Sequence, residues 1–337
     1  MITVLSLILA FGAATAAVLV LAPFAIRLAR RIRLYDVPNG RKVHSQPTPL
    51  LGGLAVFCAT IGVLLTIGAF AGESMNLSRV GFLAGAVWMF LLGLADDRRG
   101  LAVPVKLVGQ FIGAAMLVCT GNTDGLIGQH PLALAICIVW TVGIMNAINF
   151  LDGLDGLAAG TTLLACVAFA VVGFLGGQPY PALIAAAAGG AALGFLRWNW
   201  NPARVFLGDA GSLFLGYVLA ALGLMSTWDR ASLAYVVVPI IVLGVPIFDI
   251  TFVVVIRMLE GRAISCPGRD HTSHRILRML RSVPYATSAS LSVTLLLGAT
   301  AIALTLAAQP ALMIVATGSL AILFAFVGHR LSKISGS

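Results

Sequence analysis

Long apolar stretches alternate with short polar ones along the whole chain. Eleven apolar runs fall near residues 2–26, 50–71, 80–95, 103–121, 131–150, 157–176, 180–196, 210–227, 232–258, 285–307 and 311–328. As helices, runs of about 17 to 25 residues cross a hydrocarbon core of roughly 30 Å. The pattern predicts an all-α polytopic membrane protein with about eleven transmembrane helices. The ninth run is too long for one straight span, and Pro239 and Pro246 within it remove backbone donors and favour kinks. A broken or strongly tilted helix is expected there, able to open a lateral groove toward lipid. No internal repeat, low-complexity segment or long linker divides the chain, so residues 1–337 read as one domain. The apolar stretch in Met1 to Ala25 is too long for a signal-peptide core and lacks a positive start, so it reads as the first span.

Composition supports the same class. Hydrophobic residues make up 60% and charged residues 10%, with a mean hydropathy of +1.03, whereas soluble domains carry roughly one-quarter charged residues. The formal net charge of +9 sits in short polar stretches, where it sets orientation and attracts phosphate. No polar domain is large enough to hold a duplex, and no nucleic-acid partner is expected. If the N-terminus is outside, the stretches after runs 1, 3, 5, 7, 9 and 11 face the cytoplasm and hold the Lys and Arg clusters, with Arg79 and Arg230 on the other side. Asp36, Asp96, Asp97, Asp152, Asp155, Asp209 and Asp270 lie in the same stretches. Chemistry is therefore expected on the cytoplasmic face. Cys58, Cys119, Cys137 and Cys166 lie in apolar runs, Cys266 lies in a polar loop, and no two have zinc-ligand spacing.

Five polar stretches carry candidate chemistry. In "MNAINFLDGLDGLAAG", Asn146, Asn149, Asp152 and Asp155 recur every third residue, a spacing that one continuous helix would splay around half its circumference. Gly153 and Gly156 predict instead that helix 5 ends near Phe150, with both aspartates on a tight turn. Carboxylates and amides then converge on one pocket. "GLADDRRG" sets Asp96 beside Asp97, like charges that need a cation or the neighbouring Arg98 and Arg99 to neutralise them. "VFLGDAGSLFLG" puts Asp209 between glycines at a helix start, which suits either a helix cap or Mg²⁺, an ion that takes few protein oxygens and completes its shell with phosphates. "GRDHTSHRILRMLR" gathers His271, His274 and Arg275 ahead of Arg278 and Arg281. Without cysteines or a third histidine zinc is not expected there, and these side chains suit phosphate or sugar oxygens, the later arginines fitting a surface helix. "YDVPNGRKVHSQPTPLLGG" adds Arg41, Lys42 and His44 in a basic loop.

Together, "YDVPNGRKVHSQPTPLLGG", "GLADD", "NAINFLDGLDGLAAG", "FLGDAGSLFLG", "GVPIFD" and "DHTSHR", in order from Tyr35 to Arg275, resemble the motif set of the polyprenyl-phosphate N-acetylhexosamine-1-phosphate transferases. The likeness is to the bacterial undecaprenyl-phosphate GlcNAc-1-phosphate transferase branch. It implies a multi-pass enzyme of the bacterial inner membrane that passes a sugar 1-phosphate, GlcNAc being expected, from a UDP-amino-sugar to polyprenyl phosphate and releases UMP. That step would initiate a cell-surface glycan. The resemblance implies Mg²⁺ as cofactor, with Mn²⁺ as an alternative ion, held by Asp209 and Asn149. It places Asp155 and the preceding turn at the uracil, Phe206 stacked on it, and Asp96 and Asp97 toward the lipid phosphate. His271 would face the sugar or diphosphate. Asp152 joins the catalytic set, and Asn146, Arg41, Lys42, His274 and Arg275 join the substrate-binding set. The last loop keeps only the outer histidines of the branch's usual His-Ile-His-His run. A homodimer is left open.

The runner-up is an ion- or proton-coupled transporter, because Asp249 in "GVPIFDITF" is an intramembrane carboxylate of the kind that marks an ion path. Transporters place polar groups near the midplane, commonly between two related halves, whereas here the charges crowd one face. A non-catalytic membrane scaffold is the third reading.

Overall fold

In the computed structural model of the chain, residues 2–38, 46–72, 74–122, 130–225, 233–263, 268 and 270–334 are described. The helices are α1 (Val4–Arg31), α2 (Gly52–Phe70), α3 (Leu77–Arg99), α4 (Val103–Val118), α5 (Pro131–Leu151), α6 (Leu157–Leu175) and α7 (Pro179–Asn199). They continue with α8 (Gly208–Met225), α9 (Val237–Val242), α10 (Gly244–Leu259), α11 (Thr272–Leu280), α12 (Val283–Ala307) and α13 (Pro310–Ser332). Among the described residues nine helices are long and apolar enough to cross a membrane, and the shorter apolar α4 joins them. The protein is an all-α, multi-pass membrane protein.

Local chemistry sets the helix ends. Helices α5, α7 and α13 each begin on a proline, whose missing N–H costs nothing in the first turn. Asn76 caps α3 by accepting from the Arg79 backbone N at 2.9 Å, and Gly100 closes that helix in the left-handed conformation. Helix α3 therefore runs past its apolar stretch, and Asp96 and Asp97 ride on its last turn. The expected break in the ninth run is present: α9 ends at Val242, α10 starts at Gly244 with Leu243 between them, and Pro239 and Pro246 flank the junction. An apolar groove of about 580 Å³ runs beside this break between α10, α12 and α13.

Helix α8 is the centre of the bundle, with every residue from Ala210 to Leu224 buried. It packs against α3 and α5, while α7 packs between α1 and α6. In lipid no hydrophobic drive separates helix from solvent, so close packing of small residues takes its place. The run Ala185–Ala192 of α7 supplies such a face, and the Thr15 hydroxyl of α1 donates to the Gly190 carbonyl at 2.9 Å. Outward side chains such as Ile314 and Ile322 are 63% and 73% exposed, as lipid-facing residues should be.

One end of the bundle collects the polar elements. The ends of α3, α5 and α7 meet the starts of α4, α6 and α8 there. A two-residue antiparallel ladder pairs Tyr35–Asp36 with Thr48–Pro49 beside them. Arg30, Arg31, Arg98, Arg99 and Arg197 end their helices at this face, whereas Arg79 starts α3 at the opposite one, its guanidinium 4.3 Å from the Tyr180 ring.

Candidate active site

At this polar end lies a cleft of about 410 Å³ whose walls include Asp36, Asp96, Asp97, Asn149, Asp152 and Asp155, with Phe206, Asp209, His271 and His274. The sequence motifs thus meet in one place although they are spread over most of the chain.

Adjacent positions on a helix point about 100° apart, and that divergence separates Asp96 from Asp97. Asp96 turns toward α4, where its Oδ2 lies 2.8 Å from the Lys106 ammonium and its Oδ1 accepts from the Leu101 backbone N at 2.7 Å. Asp97 turns toward α8 and accepts from the backbone N of Asp209 at 2.8 Å and of Ala210 at 3.0 Å. Such an acceptor satisfies orphan N–H groups and the positive end of the helix dipole. Gly208, at φ 70°, makes this approach feasible, since a Cβ there would meet the Asp97 carboxylate at 2.6 Å. The neutralising partners are therefore Lys106 and the start of α8. Arg98 and Arg99, which the sequence offered for that task, are exposed.

Asp209 ion-pairs with Lys106 and accepts from the Asn149 amide at 2.6 Å. That amide also donates to the Ser212 hydroxyl at 2.8 Å, while the Asn149 Oδ1 lies 3.5 Å from the Lys106 ammonium. Oxygens of Asp96, Asp209 and Asn149 thus converge on one positive charge. A seat of hard oxygens that already holds a cation has the donor chemistry Mg²⁺ requires. Among the described residues no group of three or more His, Cys, Asp or Glu side chains surrounds a common position, so the seat consists of two carboxylates and an amide.

The turn between α5 and α6 forms the next wall. Helix α5 ends at Leu151, one residue beyond the expected end, and Gly156 takes φ 76° to start α6. Asp152 is half-buried on this turn. Burial, then the nearby carboxylates of Asp209, Asp97, Asp155 and Asp36, push its carboxyl well above the usual range. Asp155 Oδ2 accepts from Asn201 Nδ2 at 2.8 Å and Ala203 N at 3.0 Å, which ties the turn to the segment after α7. Asn199 reinforces the tie by accepting from Gly156 N at 3.0 Å and donating to the Val205 carbonyl at 3.0 Å.

Phe206 is fixed by its backbone, its N donating to Pro49 O at 2.9 Å and its carbonyl accepting from Gly52 N at 3.0 Å. Phe206 and Asp155 also line a second, larger cavity of about 830 Å³, walled further by Arg27, Arg30, Thr48 and Trp198. The two cavities share these two side chains.

The last wall is the start of α11. His271 Nδ1 lies 2.7 Å from Asp249 Oδ2, and Asp249 Oδ1 accepts from the Thr272 backbone N at 2.7 Å and hydroxyl at 2.6 Å. Asp270, behind it, bonds Arg257 at 3.1 Å and Arg262 at 2.9 Å. Burial alone would raise the Asp270 carboxyl, but the Arg262 and Arg257 guanidiniums hold it below the usual range.

Not every expected residue reaches the cleft. Asn146 lies one turn deeper in α5, bonded to Gln110 at 2.8 Å and 3.2 Å. Arg275 is buried and turned away, its Nη1 donating to the Leu331 carbonyl at 3.0 Å and to Ile334, so it pins α11 to the end of α13. Both were expected to bind substrate; the first is spent on another helix and the second on backbone carbonyls. Arg41 and Lys42 lie outside the described residues. Lys106, Ser212, Asn199 and Asn201 were missed. A lone lysine opening an otherwise apolar helix, and the "NWN" run ending α7, were the signals available.

Residues 79–227 match the family described as Glycosyl transferase family 4. The chain is 37% identical over 280 residues to the probable undecaprenyl-phosphate N-acetylglucosaminyl 1-phosphate transferase of Bacillus subtilis (strain 168), covering 80% of this chain and 77% of that protein. It is 34% identical over 292 residues to the decaprenyl-phosphate N-acetylglucosaminephosphotransferase of Mycobacterium tuberculosis (strain ATCC 25618 / H37Rv), at 75% and 71% coverage. It is 29% identical over 274 residues to the undecaprenyl-phosphate alpha-N-acetylglucosaminyl 1-phosphate transferase of Escherichia coli (strain K12), at 76% and 72%.

Proposed function

The chain belongs to the polyprenyl-phosphate N-acetylhexosamine-1-phosphate transferase family, and we propose that it transfers N-acetylglucosamine 1-phosphate from UDP-GlcNAc to a polyprenyl phosphate, releasing UMP. One observation carries the reading. Asp96, Asp209 and Asn149 aim oxygens at a single cation seat, and the same cleft holds His271 on its far wall and Phe206 on its rim. Phosphoryl transfer needs positioned charge rather than a protein nucleophile.

In the reaction an oxygen of the lipid phosphate forms a bond to the β-phosphorus of the UDP-sugar, and the bond from that phosphorus to the bridging oxygen of UMP breaks. Asp209 and Asn149, with Asp96 beside them, would hold Mg²⁺, which when bound supplies charge neutralisation for the diphosphate. Lys106, freed from one carboxylate, offers its ammonium to a phosphoryl oxygen. Asp97 keeps Asp209 in register through the start of α8. His271 and His274 face the diphosphate or sugar, and Phe206 stacks on uracil beside Asp155, where the two cavities join. The lipid tail accounts for a polar site at a membrane surface.

By the positive-inside rule the arginine-rich end faces the cytoplasm, which puts the N-terminus outside and the cleft where UDP-sugars are made, at a bacterial inner membrane. Asp249 gives the transporter reading no support, because its carboxylate is committed to three donors in the wall of this cleft. Purified protein in detergent with polyprenyl phosphate, Mg²⁺ and a panel of UDP-sugars tests the assignment. UMP release that is fastest with UDP-GlcNAc and lost on chelation is expected. No UMP release with any UDP-sugar overturns it.

A further inference from the structure

Asp249 sits on α10 with no exposure at all, while His271, which opens α11, lines the cleft. Three donors reach the two oxygens of that carboxylate. The Thr272 N–H and hydroxyl both bond Oδ1, which, among the described residues, leaves Oδ2 for the His271 ring alone at 2.7 Å. Donors crowding a carboxylate favour its charged, acceptor-only form, so His271 Nδ1 must carry a proton to complete the bond. The ring is held from its flank as well, by Phe150 with centroids 5.1 Å apart. With Nδ1 engaged and Phe150 against the ring, Nε2 is the nitrogen left for the cleft.

We infer that Asp249 is the positioning residue of His271: it fixes the Nδ1–H tautomer and the ring's direction, so that Nε2 accepts a proton, or as imidazolium donates one, at the substrate diphosphate. Thr272 is the second half of the device, because its two bonds stop the carboxylate from rotating away. The activity arms below rest on the transferase reading; the tautomer does not.

The discriminating variant is Asp249→Asn. Its amide oxygen still accepts from Thr272, but the NH₂ that replaces Oδ2 donates, so His271 must turn Nδ1 into an acceptor and carry its proton on Nε2. In a catalytic triad the same exchange costs about 10⁴ in kcat through the wrong tautomer; a loss of roughly 10- to 1,000-fold is expected here, where His271 is one of several charged groups. The readouts are ¹⁵N-histidine NMR in detergent at alkaline pH, with the His271 signal assigned by its loss in His271→Gln, and a double-variant comparison. Wild type should show Nδ1 protonated and Nε2 bare, and Asp249→Asn the reverse. Turnover should fall with little change in KM, and adding Asp249→Asn to His271→Gln should cost less than about twofold more, since residues acting as a unit are non-additive. A wild-type ring protonated at Nε2, an unchanged tautomer in the variant, or losses that multiply in the double variant overturns the inference. The wild-type spectrum decides even if Asp249→Asn does not fold. A protein with the expected tautomer but no UMP release overturns the transferase reading and leaves Asp249 in its place.

Discussion

The Asp97 carboxylate holds the backbone of Asp209, its Oδ1 2.8 Å from the Asp209 N and its Oδ2 3.0 Å from the next N–H of α8. The second aspartate of the "DD" pair thus builds the site without facing its cation. Removing an N-terminal acceptor of this kind costs about 1 kcal/mol. Asp97→Ala should lower the thermal midpoint with or without Mg²⁺ and reduce turnover by more than that energy implies, because Asp209 moves with the start of α8. Asp97→Asn, which keeps one acceptor oxygen, should fall between Ala and wild type. A thermal midpoint for Asp97→Ala equal to wild type by tryptophan fluorescence would show that α8 is held elsewhere.

Lys106 lies between Asp96 and Asp209, at the seat proposed for a divalent cation. Lys106→Met leaves two carboxylates facing each other, so the cation-free protein should be less stable. Added Mg²⁺ should raise its thermal midpoint by more than it raises the wild type's, since the ion relieves repulsion and displaces no ammonium. Turnover should drop on the order of 10²-fold, the scale of one lost electrostatic contact to a transition state. An equal Mg²⁺ shift in both proteins would place the ion away from Lys106.

Much of this site was legible because polar residues in a lipid-immersed chain stand out. Asp96, Asp152, Asp209 and His271 interrupt apolar or glycine-rich text, and the alternation of apolar runs with the distribution of Lys and Arg placed the stretches that carry them at one end of the bundle. The tight turn after α5 followed from Gly153 and Gly156, and the break at Leu243 from two prolines. What sequence spacing could not give was direction. Arg275 looks like a phosphate ligand until the end of α13 supplies carbonyls for it, and Asn146 looks like part of the cleft until Gln110 faces it from α4. Lys106 escaped notice because its partners are supplied by α3 and α8, and nothing local distinguishes it from a basic residue at a membrane boundary.

Asp152 links the site to pH. Its folded carboxyl lies well above the usual range, through burial first and neighbouring carboxylates second. A raised folded value means that the native state binds this proton more tightly than the unfolded chain does, so stability declines as pH climbs above the ordinary value of about 4. Asp152→Asn should therefore melt higher than wild type at pH 7 to 8 without divalent ions. The advantage should vanish near pH 4 and narrow when Mg²⁺ neutralises the neighbours. Thermal midpoints measured across pH 4 to 8 check this, and a variant less stable than wild type at pH 8 would refute it.

Asp96 raises the question of a catalytic base. A phosphate monoester has a second pKa near 6, so the attacking lipid phosphate is already largely a dianion at neutral pH, and a base has little to remove. An anionic membrane surface lowers the local pH and raises that apparent value somewhat, which is the strongest argument for a base. The geometry argues against it, because Oδ1 of Asp96 is taken by the Leu101 N–H at 2.7 Å and Oδ2 by the Lys106 ammonium at 2.8 Å. A carboxylate so engaged organises charge. The two roles separate with pH. If Asp96 removed a proton from a group titrating near 6, the defect of Asp96→Asn would shrink as pH rises from about 6 to 9, solvent then doing the same work. If it holds Lys106 and the cation in place, the defect stays constant over that range, since no proton is then taken from the lipid phosphate. The constant defect is expected in kcat against pH, and recovery of most of the activity at alkaline pH would assign Asp96 the base role instead.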